Sequence, residues 1–299
     1  MVSESIFSEL QMYGIEYKTD YSLKNASTFR IGGRCALALF PDSRMKLGIC
    51  CALLKSAEIR TYVLGKGSNT LFADGYLDIA VVFTTKMDSI SVDQKRIVCD
   101  AGASLVAVSA LACREGLTGM EFASGIPASI GGAVFMNAGA YGGQMSDIVF
   151  ESIALDKSSG QVMPIRKHAF GYRHSIYMEN KDLICIGATL ELAYADRDQI
   201  SEKIKQLAAQ RREKQPLEYP SAGSYFKRPE GDFAARLIDA CGLKGARVGD
   251  AEVSVKHAGF IVNRGNATAK DVLSLEELVR KAVLEQTGIT LEREVEFID

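Results

Sequence analysis

The sequence has almost no excess of either charge: 35 Lys and Arg stand against 37 Asp and Glu, a net charge of -2. That balance argues against a general partner for nucleic acid or an anionic membrane surface. Histidine is scarce, with His168, His174 and His257 scattered along the chain, and no metal centre is expected. The seven cysteines are odd in number and lack any CxxC, so they read as buried thiols of a reducing compartment rather than a disulfide frame or a zinc site. No apolar run approaches the ~18 residues of a membrane span. The opening MVSESIFSEL carries acidic residues and no basic ones, so no secretory signal is expected and the cytoplasm is the expected location. Repeats and low-complexity segments are absent.

What is present is glycine in one place. Gly125–Gly143, GIPASIGGAVFMNAGAYGG, holds six glycines in nineteen positions, and no charge falls between Glu121 and Asp147. Ordering glycine costs conformational entropy, so the cluster needs a reason. Two stand: a tightly packed set of turns between strands, or a backbone laid against a large ligand with its N–H groups bare and turned inward. Asn137 sits among Val134, Phe135, Met136 and Ala138 and needs a buried partner. That need favours the ligand. Pro127 fixes the turn that enters Gly131-Gly132.

With 299 residues, 47% hydrophobic and 24% charged, the chain can build a sizeable core. Periodicity predicts helices over Ser43–Ala57 (Ile49, Cys50, Leu53, Leu54 and Ala57 on one face), Ser104–Glu115, Asp198–Gln215, Phe233–Cys241 and Ala269–Thr287. Strands are predicted at Cys35–Phe40, Thr61–Leu64, Ile79–Phe83, Ile148–Leu155, Gln161–Ile165, Leu183–Tyr194 and Gly259–Val262, with a hairpin of Ile90–Val92 and Ile97–Cys99. Leu10–Tyr21 shows no clear period. The end alternates, with Ile289, Leu291, Val295 and Phe297 on one face. The mixture predicts an α+β enzyme with a two-part region of roughly two hundred residues and a smaller α+β domain.

Several loops can carry chemistry. Gly65-Lys66-Gly67-Ser68-Asn69 follows a strand but matches neither the dinucleotide fingerprint nor the Walker loop. It is a plain turn or a short nest of N–H donors suited to a pyrophosphate. Paired with Gly125–Gly143, it supplies the second of the two cradles a dinucleotide cofactor needs. Arg173, in Tyr172–Ser175, by itself reads as a surface charge. Ser224 lies in a glycine-flanked turn near two cations and has no GxSxG elbow, which disfavours a hydrolase nucleophile. Glu294 by itself reads as a solvated strand carboxylate. Between Ser221 and Gly265 seven basic residues face five acidic ones, an excess suited to a small anionic substrate.

These motifs resemble a known family. NxxTFRIGG at Asn25–Gly33, LGxGSN at Leu64–Asn69 and GIPxSxGGAVFMNAGAYG at Gly125–Gly142 resemble the flavin-binding segments of UDP-N-acetylenolpyruvoylglucosamine reductase. YRxS at Tyr172–Ser175, SAGSxFKxP at Ser221–Pro229, GxRVGDAxVSxKHAGFIVN at Gly245–Asn263 and LExEV at Leu291–Val295 complete the series in order along nearly the whole chain. The shorter type II form is the nearer match. The resemblance implies a two-lobed FAD-binding domain of the vanillyl-alcohol-oxidase (PCMH) type over 1–83 and 84–200, and a substrate domain over 201–299. It also implies FAD, NADPH, UDP-N-acetylglucosamine enolpyruvate as substrate and peptidoglycan precursor synthesis; a monomer is expected. Ala128, Lys66 and Arg293 depart from the family pattern, the last standing where proline is common.

Carried over residue by residue, the catalytic set is Arg173, Ser224 and Glu294. The flavin is expected at Arg30, Gly65, Gly67, Ser68, Asn69, Gly125, Ile126, Pro127, Ser129, Gly131, Gly132, Asn137 and Ala138. Lys227, Arg228, Lys244 and Lys256 are candidates for the substrate diphosphate, and Tyr141 for flavin or substrate. Hydride arriving at the enolpyruvyl C3 leaves charge at C2, spread onto the adjacent carboxylate. Arg173 suits that carboxylate and Ser224 the proton for C2, with Glu294 holding the carboxylate geometry or sharing a proton. Two rivals remain: an oxidase on the same scaffold that tethers its flavin, and a non-catalytic sensor of a sugar nucleotide or flavin.

Overall fold

Ser43 opens a helix as its position predicts: its hydroxyl accepts from the Lys46 amide at 3.3 Å, and Arg44–Ser56 follows. The computed structural model describes residues 4–299. Residues 1–3, part of the opening read above against a secretory signal, lie outside the described residues. The helix buries Leu47, Cys50, Cys51 and Leu54, a stripe spaced three and four apart. That stripe is rotated from the expected one, so Ile49 and Leu53 sit at its margin and Ala57 is exposed.

The chain divides into two compact units. One comprises the chain to Thr19, Ala36–Lys66 and Asp78–Gln210; the other comprises Asp20–Cys35, Gly67–Leu77 and Arg211–Asp299.

The first unit has two cores. One lies between a four-stranded sheet and the helices Glu4–Met12 and Arg44–Ser56, and buries Leu10, Leu37, Leu39, Leu47 and Val82. The sheet order is Glu16–Ser22, Arg34–Phe40, Tyr76–Phe83 and Thr61–Leu64, the last two parallel. Arg34–Phe40 is buried at five consecutive positions, as a strand covered on both faces must be. The second core lies on a five-stranded antiparallel sheet ordered Val162–Ile165, Val149–Asp156, Leu183–Glu191, Arg96–Asp100 and Ile90–Asp93. The helices Leu105–Arg114 and Ile130–Phe135 contribute Leu105, Val108, Ile130 and Val134 to it.

The second unit is an antiparallel sheet ordered Ser221–Ser224, Phe260–Asn263, Ala251–Val253 and Arg247–Val248, packed with the helices Ala234–Ala240 and Ala269–Thr287. Thr268 and Asp271 form a capping box at the start of the longer helix, and Gly288 ends it with φ 71°, where a side chain would be strained. Its Val272, Leu275, Val279 and Val283 are fully buried. Glu296–Ile298 pairs in parallel with Thr70–Phe72.

Four expectations are corrected. Glu4–Met12 is helical and Glu16–Ser22 is a strand; the strand's side chains are mostly exposed, so no alternation marks it. Leu183–Tyr194 is broken at Leu192, after which Ala193–Tyr194 pairs with Leu117–Thr118. The alternating end has a ladder only at Glu296–Ile298, although Leu291 and Val295 are buried ahead of it. Cys113 and Cys241 are half-buried, whereas the other five thiols are buried as expected.

Candidate functional site

In the first unit the glycine-rich stretch contains a short helix, Ile130–Phe135, that its glycines had concealed. Ser129 caps it by accepting from the Gly132 amide at 3.3 Å. The Ile130 and Gly131 amides donate to the carbonyls of Ala103 (2.9 Å) and Ala101 (2.8 Å). These N–H groups are therefore not bare, contrary to the ligand-facing expectation for Gly131 and Gly132. Glycine is needed here for close approach of chain to chain. A Cβ on Gly131 would stand 2.9 Å from Ala101 Cβ, and one on Gly143 would stand 2.7 Å from the Phe122 ring. Gly65 is tighter still than these two, since its Cβ would lie 2.0 Å from Ser129 Oγ. Lys66 Nζ donates to Ser104 Oγ at 2.7 Å, and Ser104 bridges Ser129. The two loops singled out in the sequence thus do meet.

Asn137 also finds a partner other than a ligand. It is 2% exposed, with φ 42°. Its Nδ2 donates to Gly171 O at 2.9 Å and Gln144 Oε1 at 3.3 Å, and its Oδ1 accepts from the Ser146 amide at 2.9 Å. Asn137 does have buried partners, and the protein itself supplies them. Neighbouring backbone is satisfied too: the Ile126 amide donates to Ala123 O and the Ala138 amide to Ala133 O, while Gly125 is half-buried and Pro127 exposed. Gly139–Ala140 and Gly143–Gln144 pair as a two-residue hairpin that exposes Tyr141, at φ 54°, with Gly142 at φ 88°.

Arg173 occupies the tip of another tight turn, closed by the paired backbones of Gly171 and His174, with φ 51° at the arginine. Asn137 holds the Gly171 side of this turn, and Ser175 Oγ holds the other by donating to Phe135 O at 2.7 Å. The half-buried guanidinium donates to Gly139 O at 3.3 Å and lies 5.2 Å from the Tyr172 ring centre. One more anchor was not legible in the sequence. The buried Ser152 hydroxyl sits 2.8 Å from His168 Nε2 and 2.7 Å from Tyr177 Oη, tying both ends of the Arg173 segment to one strand. Burial lowers the His168 pKa from the ordinary 6.5, opposed by a backbone hydrogen bond at Arg166 and by Glu151.

In the second unit, Ser221–Ser224 is a strand rather than the turn expected. Ser221 faces Val262 and Ser224 faces Phe260, so one extra residue bulges out at Gly223, whose φ is 79°. Bulges re-aim the side chain beside them, and Ser224 is exposed. Glu294 lies on the adjoining segment: its amide donates to Tyr225 O at 2.9 Å, and Lys227 N donates to Glu292 O at 2.8 Å. Glu294 is half-buried and its carbonyl accepts from Asn69 Nδ2 at 3.0 Å. Ser224, Glu294 and Asn69 are therefore brought together; Arg173 belongs to the other unit.

Beside Asn69 the buried Gly67 has φ 60°, and a Cβ there would strike Ala26 O at 2.3 Å. The amides of Gly67 and Ser68 meet no acceptor among the described residues, nor does that of Lys66 in the first unit. Next to Gly67, the buried Ser27 hydroxyl is without a partner, a residue the motif reading passed over. Bare amides and an orphaned hydroxyl fit an anionic group such as a diphosphate. Arg30 is exposed at φ 55°, its carbonyl taken by Asn263 Nδ2 at 3.4 Å. The basic candidates do not converge on one point. Lys227 pairs with Glu292 (3.2 Å), Lys244 with Asp239 (2.7 Å) and Lys256 with Arg212 O (2.7 Å), while Arg228 lies 4.8 Å from the Phe233 ring centre. No cluster of metal-ligating side chains occurs among the described residues, and none of their helices is long and apolar enough to cross a membrane.

Two family models match parts of this chain. Residues 35–164 match the family model described as an FAD binding domain. Residues 215–298 match the C-terminal domain of UDP-N-acetylenolpyruvoylglucosamine reductase. The reductase of that name from Caldicellulosiruptor bescii is 44% identical over 97% of this chain and 94% of its own. That of Pediococcus pentosaceus is 42% identical over 100% and 99%. The crystal structure of the Thermus caldophilus reductase is 34% identical and superposes with a TM-score of 0.80, covering 95% of this chain and 99% of that one. An alkyldihydroxyacetonephosphate synthase, 13% identical at a TM-score of 0.50, covers 65% of this chain and 44% of its own; it shares the fold alone, the flavin-domain type expected above. With relatives above 40% identity along nearly its full length, this chain belongs to the UDP-N-acetylenolpyruvoylglucosamine reductase family.

Proposed function

We propose that the protein reduces the enolpyruvyl group of UDP-N-acetylglucosamine enolpyruvate to the lactyl ether of UDP-N-acetylmuramate, using FAD and NADPH. The observation that carries this reading is the pairing of an exposed serine on a bulge with a half-buried glutamate on the adjoining segment. A bound FAD would supply the hydride chemistry, relaying to the enolpyruvyl C3 the hydride that NADPH brings. The Gly67 and Ser68 amides and the Ser27 hydroxyl would hold its diphosphate, with Asn69 and Arg30 beside them. Arg173 neutralises the substrate carboxylate through its planar fork, lowering the cost of charge at C2. Ser224 donates a proton to C2. A serine hydroxyl is a weak acid, so it acts only once C2 is strongly basic, with Glu294 holding the carboxylate geometry or sharing a proton. Lys227, Arg228, Lys244, Lys256 and Tyr141 are assigned to substrate binding. In this reading 1–83 and 84–200 are the flavin lobes, 201–299 carries the substrate, and the enzyme works as a monomer in the cytoplasm, at a step in peptidoglycan precursor synthesis that serves cell shape and division.

The test is direct. The purified protein should be yellow and should consume NADPH only when the enolpyruvyl substrate is present. Ser224→Ala should leave flavin reduction by NADPH intact and slow substrate reduction by roughly 10²–10⁴-fold. Equal loss in both half-reactions would remove Ser224 from this role.

A further inference from the structure

Behind Ser224 and Glu294 lies a buried carboxylate to which the proposed mechanism assigns nothing. Glu276, on the helix Ala269–Thr287, is 7% exposed. Its Oε2 accepts from Tyr225 Oη at 2.8 Å and from Arg293 at 3.3 Å, and its Oε1 lies 3.8 Å from Arg280. Tyr225 is 1% exposed, and its phenol is pushed up first by burial and then by the Glu276 charge. A buried carboxylate is costly unless paired, and removing one partner of such a group costs far more than the pair contributes. Its placement asks for a reason beyond stability.

The two residues that Glu276 grips are the sequence neighbours of the two carrying the proposed chemistry. Tyr225 follows Ser224, and Arg293 precedes Glu294. Successive side chains on extended backbone leave opposite faces, so a tether on one side fixes the aim of the next residue on the other. The two segments are further joined to each other, through the bridge Phe226↔Arg293 and the Glu294 amide on Tyr225 O. One oxygen atom thus ties both of these segments to one helix.

We infer that Glu276 is a positioning residue that sets the distance between the Ser224 hydroxyl and the Glu294 carboxyl through Tyr225 and Arg293. This inference rests on the roles proposed above for Ser224 and Glu294. Glu276→Gln keeps one hydrogen-bonding oxygen and loses the charge that holds Arg293. Arg293→Met removes the tether on the glutamate side, Arg293→Lys keeps its charge, and Tyr225→Phe removes only the phenol on the serine side.

The test compares the two half-reactions of the flavin-loaded enzyme by rapid mixing, and hydrogen exchange of the flavin-free chain. Glu276→Gln should slow substrate reduction by about 10–100-fold, the scale of a misplacement near 1 Å, and leave flavin reduction within about twofold. Arg293→Lys should recover most of what Arg293→Met loses. In the flavin-free chain the Glu294 and Lys227 amides should exchange faster in Glu276→Gln, while the amides of Arg44–Ser56 should not change. Should Glu276→Gln fail to fold, Tyr225→Phe and the Arg293 pair must show the same split. Equal loss in both half-reactions, or no loss in either, overturns the inference. If Ser224→Ala slows only substrate reduction and these variants do not, positioning alone is refuted; if Ser224→Ala has no such effect, the reading of the site itself fails.

Discussion

Replacing Asn137 tests whether a buried amide organises the arginine turn. In Asn137→Ala, the Ser146 amide loses its acceptor and Gly171 O loses its 2.9 Å donor. Gly171 O keeps the His174 amide at 3.3 Å, so the Ser146 amide is the group left unpaired, at a cost of roughly 1–3 kcal/mol. Alanine must also hold φ 42°, a region that asparagine tolerates better, adding about 1 kcal/mol. A total of about 2–4 kcal/mol would lower the melting temperature by roughly 4–16 °C for a unit of this size. Asn137→Gly carries the same unpaired amide without the backbone strain, so it should be the more stable of the two by about 1 kcal/mol. Asn137→Asp is isosteric, yet turns an anion toward Gly171 O and Gln144 Oε1. Its new carboxyl should have a raised folded pKa, so the folded state binds the proton more tightly and this variant should recover stability relative to wild type as pH falls. Thermal melts at two pH values and urea titrations read all three. In steady-state kinetics, looser Arg173 should raise KM for the enolpyruvyl substrate. A melting temperature for Asn137→Ala within 2 °C of wild type, or glycine and alanine variants of equal stability, would refute the reasoning.

Three further expectations follow from the same geometry. His168 has a pKa lowered from 6.5 by burial, so the unfolded chain binds its proton more readily. Its stabilisation is full above pH 6.5 and is lost as pH falls through the lowered value, and denaturation at stepped pH should show His168→Gln to be less sensitive over that window. Burial raises the thiol pKa to about 12 at Cys50 and Cys99 and about 11 at Cys51 and Cys185. A disulfide reagent at mildly alkaline pH should therefore reach at most Cys113 and Cys241 in the folded protein, and all seven thiols once it is unfolded. Gly65→Ala drives a methyl group into Ser129 and its helix cap, destabilising by about 2–4 kcal/mol, whereas Gly48→Ala, mid-helix with nothing within 4 Å, should stabilise by about 0.5–1 kcal/mol in the same unfolding assay.

What the sequence determined by itself was local or carried by ordered motifs. The helices at Arg44–Ser56, Leu105–Arg114 and Ala269–Thr287 follow from caps and from stripes a few residues apart, and so can be read in a short window. The motif order was enough to name the family and the candidate residues. Glycine misled because its missing side chain serves ligand approach and chain packing equally well. At Gly131 packing decided, while at Gly67 the amides stayed bare.

Tertiary structure alone decided which polar groups answer one another. Asn137 and Gly171 are separated by 34 residues, Tyr225 and Glu276 by 51, and Asn69 and Glu294 by 225. A buried polar group must find a partner, and sequence can state that demand; which partner meets it depends on how distant segments close in space, where every chain neighbour has already been left behind.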